Sequence, residues 1–143
     1  MPAHQSPAPR TSPAATVFSL LASLAAIAGI AAIWTGISLV TRSNAGWMAV
    51  VAALDAALLL RLAGYRRGND RALFTLIVVL ATTALAGFLI ATAAIGLPMG
   101  LRPYHAVGRM SLELAWLFVQ ANSGWVELGW LVAASVVAWK AGR

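Results

Sequence analysis

Four apolar tracts, separated by short polar breaks, organise the chain. Val17 to Val40 (VFSLLASLAAIAGIAAIWTGISLV) and Ala72 to Leu97 carry no charged residue, Gly46 to Gly64 carries Asp55 and Arg61, and Ser123 to Trp139 carries Glu127. A helix rises about 1.5 Å per residue, so about 20 apolar residues cross a hydrocarbon core of roughly 30 Å. The tracts therefore predict four transmembrane helices, over about 17–40, 46–64, 72–97 and 123–139. The first is too long for the apolar core of a signal peptide and reads as a retained anchor.

A fifth segment, Tyr104 to Ala121 (YHAVGRMSLELAWLFVQA), is mixed. Its His105, Arg109 and Glu113 recur at intervals of four and share one face of a helix, opposite Leu112, Trp116 and Phe118. It is expected to form one helix over about 104–121, lying along the interface or re-entering it. Gly96, Pro98, Gly100 and Pro103 stop the third span before it. The fold class is thus an all-α integral membrane protein, a small bundle of four transmembrane helices with an extra interfacial or re-entrant helix between the third and fourth. Residues 1–16, rich in Pro, Ala and Ser, are expected to be a flexible cytoplasmic tail, and 17–143 a single transmembrane domain.

Composition agrees: 61% of the residues are hydrophobic and 10% charged, far from the mixture of a soluble domain. With no cysteine, disulfides, thiolate metal sites and cysteine nucleophiles are excluded. The formal net charge is +6, and most basic residues border apolar tracts. Topology signalling and anionic headgroups account for cations there, so nucleic acid is not an expected partner. A cytoplasmic N-terminus puts Arg10, Arg61, Arg66, Arg67, Arg71, Lys140 and Arg143 inside, against Arg42, Arg102 and Arg109 outside. Both termini are therefore expected in the cytoplasm, with the chain in a bacterial inner membrane. Trp47, Trp125 and Trp130 then fall at the outer interface, and Tyr65 and Trp139 at the inner one.

Small residues recur at intervals of four in the first span (Ala28, Ala32, Gly36) and the third (Thr83, Gly87, Ala91), a pattern that lets membrane helices pack closely. Asp55 lies near the middle of the second span, where an ionised carboxylate facing lipid is costly. Its neighbours one turn away are apolar, so a partner must come from another helix, such as Thr35, Thr82, Thr83 or Thr92, or from another subunit. It reads either as a proton or substrate site or as a structural acid bonded within the bundle.

His105, Arg109, Glu113 and Glu127 form a candidate outer-face polar cluster, and Arg61, Arg66, Arg67 and Arg71 a set for lipid headgroups. Met48, Met99, Met110 and His105 share the outer side but match no metal motif, so neither metal nor cofactor is assigned. No phosphate loop, zinc-protease helix or serine elbow is present. The expected function is an accessory, assembly or anchoring subunit of a larger inner-membrane complex, more a non-enzyme than an enzyme. Its expected partners are membrane lipids and other membrane subunits or a second copy. The alternative is a small oligomeric proton-coupled transporter or channel component using Asp55, and the third reading is an outer-face enzyme acting on lipid.

Overall fold

The computed structural model describes residues 13–64 and 68–143. These form six helices and no strand: α1 (Pro13–Thr41), α2 (Met48–Leu62), α3 (Asn69–Gly96), α4 (Pro103–Arg109), α5 (Leu112–Asn122) and α6 (Trp125–Gly142). The all-helical class holds. Two helical segments, Leu20–Thr41 and Asn69–Gly96, are long and apolar enough to cross a membrane. The tracts expected at 46–64 and 123–139 are helical but shorter: α2 has 15 residues and α6 has 18. Helix begins at Pro13, so the end of the expected tail belongs to α1, while residues 1–12 lie outside the described residues.

α3 is the central element, packing against α1, α2, α4, α5 and α6, while α2 also packs along α6. The interior is built from small side chains. Of the twenty buried hydrophobic residues described, fifteen are alanine, whereas Phe18, Leu24, Leu58, Leu62 and Val132 on the helices stand at least half exposed. A fold stabilised by water does the reverse, burying its largest apolar groups first. Small residues let helix backbones come together where the surroundings are themselves apolar.

Two places show how close that approach is. A Cβ added at Gly142 of α6 would collide with the Ala72 backbone of α3, and one at Gly96 would stand 2.6 Å from the Ala106 Cβ of α4. Of the expected stripes, Thr83, Gly87 and Ala91 face inward, with Gly87 3.4 Å from Val119 of α5 by the same measure. Ala28, Ala32 and Gly36 are exposed; the buried face of α1 is instead Ala31, Trp34 and Ser38.

The α1–α2 turn is held by backbone acceptors. The Trp34 Nε1–H and the Ser38 hydroxyl both donate to the Asn44 carbonyl, at 2.8 and 3.2 Å. The Asn44 side chain donates in turn to the Asn122 carbonyl at 2.6 Å, tying this turn to the end of α5. Arg42, at φ 50°, closes α1 in the left-handed conformation, and Ser43 N–H reaches back to the Ser38 carbonyl at 3.2 Å.

The segment expected as one helix over 104–121 is two. The chain turns extended at Met110 and Ser111, and the Ser111 hydroxyl accepts the Leu114 N–H at 3.1 Å, starting α5 afresh. A serine in extended backbone followed by an acidic first turn, here Glu113, is a favourable helix start.

Candidate functional site

Asp55 sits on α2 at the boundary between its buried face (Ala52, Ala53, Ala56) and its exposed one (Leu54, Leu58). It is half-buried and turned towards α1. There a shallow, open groove of about 340 Å³ is lined by Asp55 and Leu59 from α2 and by Ala22, Ala26, Gly29, Ile30 and Ile33 from α1. Ala22, Ala26 and Gly29 leave room on the α1 side beside Ile30 and Ile33, and a Cβ at Gly29 would have no atom within 4 Å.

Within the described residues the Asp55 carboxylate has no hydrogen-bond or ion-pair partner. The threonines expected as partners are all spent on their own helices. Thr35, Thr82, Thr83 and Thr92 donate to the carbonyls of Ala31, Val78, Val79 and Phe88, at 2.7, 2.8, 2.9 and 2.7 Å. A hydroxyl in apolar surroundings takes the nearest acceptor, and on a helix that is the carbonyl one turn back. Asp55 therefore presents an unanswered carboxylate to whatever lies in the groove.

The outer-face residues do not act as one face. His105 and Arg109 lie on α4, Glu113 begins α5, and the break at Met110–Ser111 separates them. His105 stacks beside Tyr104, with ring centroids 4.4 Å apart, and Tyr104 takes a hydrogen bond from Arg102 at 3.1 Å. No ion pair joins Arg109 to Glu113 among the described residues. Glu127 turns back on its own helix, accepting the Gly124 N–H at 2.9 Å to cap α6. Among the described residues, no three of His, Asp and Glu converge where a metal ion could sit. Met48 is buried in the core, separate from the exposed Met99.

The basic set also divides. Arg61 is exposed in the last turn of α2, and Arg66 and Arg67 lie outside the described residues. Arg71 is the correction: only 4% exposed, it is not turned to a headgroup. Its Nε–H donates to the Gly142 carbonyl at 2.8 Å and an Nη2–H to the Ala141 carbonyl at 2.7 Å. A cation in the first turn of a helix meets the positive end of that helix's dipole and needs compensation. Arg71 finds it in the free carbonyls and negative dipole end of antiparallel α6. In sequence Arg71 resembles its neighbours Arg66 and Arg67, and only the packing of α6 beside the start of α3 reveals this contact.

No family model, curated protein or solved structure matches the chain. Function therefore rests on the geometry: a small bundle, large apolar side chains facing outward, and one carboxylate left open in a groove beside Ala22, Ala26 and Gly29.

Proposed function

We propose that the chain is a small integral membrane protein that serves as an accessory or assembly subunit, docking a transmembrane helix of another subunit in the α1–α2 groove through Asp55. The single observation that carries this reading is the Asp55 carboxylate, half-buried beside Gly29 and without a partner among the described residues. In a hydrocarbon environment a carboxylate demands a donor, and small residues opposite it leave room for a helix that brings one.

Four spans follow if α2 and α6 cross with α1 and α3, their short lengths matched by local thinning or by the neighbouring subunit. Antiparallel packing then places the N-terminus of α1 and the C-terminus of α6 on one side. Arg61, Lys140 and Arg143 gather there, which favours the cytoplasmic side of an inner membrane. An apolar, alanine-filled interior inside a shell of larger side chains supports the bilayer placement.

The test is the mass of the native particle after mild-detergent extraction. A reproducible assembly larger than the single chain is expected, and Asp55→Leu is expected to release the single chain with its helix content unchanged. A wild-type chain that extracts alone, or an assembly indifferent to Asp55→Leu, contradicts the proposal.

A further inference from the structure

A second cavity among the described residues lies away from Asp55. It occupies about 830 Å³ between α3, α5 and α6 and reaches the α1–α2 turn, within the roughly 300–1,000 Å³ typical of ligand pockets. Small residues open it: Ala84 and Gly87 on α3, Ala115 on α5 and Ala49 on α2 leave space where larger side chains would meet. Leu80, Phe88, Trp116 and Leu131 give it apolar walls. The Thr83 hydroxyl adds no polarity to the middle, because it is bonded to the Val79 carbonyl at 2.9 Å.

One end is different. Gln120, Ser123 and Glu127 line it together with Asn122, whose carbonyl is held by Asn44. The Gln120 amide and the Ser123 hydroxyl make no side-chain hydrogen bond among the described residues. Glu127 commits one oxygen to the Gly124 N–H, and its other oxygen has no partner there. Glu127 is also the only ionisable residue on the cavity wall among those described. The cleft is partly open at its side, next to the exposed Leu80, Trp116 and Leu128.

We infer that this cleft holds one acyl chain of an amine-bearing phospholipid, with the headgroup at the Gln120–Glu127 end. The apolar length suits a chain, and the lateral mouth admits a molecule already dissolved in the bilayer. Glu127 supplies the charge an ammonium group needs, while the Gln120 amide and Ser123 hydroxyl donate to phosphate or ester oxygens. An anionic headgroup without an amine meets the Glu127 charge with no cation on the wall to offset it. The inference rests on the bilayer placement proposed above but not on the Asp55 contact.

The full chain, reconstituted in vesicles of equal phosphatidylethanolamine and phosphatidylglycerol and then released for native mass spectrometry, tests it. One retained phosphatidylethanolamine per chain is expected, favoured over phosphatidylglycerol by about tenfold. Glu127→Gln, which keeps an acceptor for Gly124, should erase the preference while leaving a lipid bound. Gly87→Leu and Ala84→Leu, each filling the slot, should lower retention by about tenfold; Ala84 is exposed at its outer edge and tolerates the larger side chain even if Gly87→Leu unfolds. Equal retention of the two lipids by the wild-type chain overturns the inference. So does wild-type retention by a folded Ala84→Leu chain. Loss of a partner subunit changes the particle by a protein mass and loss of the lipid by a phospholipid mass, so the two proposals fail separately.

Discussion

Arg71 and Asp55 are both charged residues set in apolar helices, and the fold treats them oppositely. Arg71 is closed: 4% exposed, it spends its guanidinium on the last carbonyls of α6. Asp55 is open: half-buried beside Gly29, it has no partner among the described residues. A charge whose donors are matched inside the chain is part of the architecture. One left unmatched among the described residues is, on the proposal above, open to a donor from a partner.

Removing the closed charge should have the largest effect. Arg71→Ala strips the charge-assisted hydrogen bonds to the Ala141 and Gly142 carbonyls and a favourable dipole contact, and should lower the stability of the detergent-solubilised chain by about 3 kcal/mol. Denaturant titration followed by helical circular dichroism measures it. Arg71→Lys keeps the charge but cannot span both carbonyls with a rigid fork, so about half that loss, roughly 1.5 kcal/mol, is expected in the same titration.

The open site should respond in the other direction. A Cβ at Gly29 has no atom within 4 Å, and Gly29→Leu replaces a poor helix former, so stability should rise by about 0.5–1 kcal/mol. The same side chain fills the groove, so the larger native particle should disappear on sizing of the mild-detergent extract. The smallest effect belongs to Asp55→Leu: within about 0.5 kcal/mol in the isolated chain, because its carboxylate has no partner to lose among the described residues. A stability loss as large as that of Arg71→Ala would show that Asp55 is a second architectural charge and erase the contrast.

The sequence carried the helices better than their contacts. Mostly apolar tracts located α1, α2, α3 and α6, since a hydrophobic run needs no knowledge of its neighbours. The break before α5 was also readable, because Ser111 followed by Glu113 is a helix start, although the i, i+4 recurrence of His105, Arg109 and Glu113 argued for continuity. Arg71 reads like Arg66 and Arg67 in one dimension. Only the return of α6 beside the start of α3 distinguishes it.

Asp55 stood out as a charge in an apolar tract, but its groove did not, because Ala22, Ala26 and Gly29 meet it only when α1 lies against α2. The threonines misled for a physical reason: each can satisfy itself on its own helix, so proximity in composition is no guide to pairing. The small-residue stripe of Ala28, Ala32 and Gly36 misled similarly, since spacing identifies a face but not what covers it.

Because the chain has no native cysteine, a single introduced one reports from one place. The most direct test of the Asp55 groove as a docking site places a benzophenone probe on Gly29→Cys, inside the groove, and on Ile77→Cys, an exposed apolar position of α3, in intact membranes. One discrete protein adduct is expected from position 29, lost when Asp55→Leu is added, and only diffuse lipid labelling from position 77. The same labelling pattern at both positions, or an adduct at 29 that survives Asp55→Leu, contradicts docking at this groove.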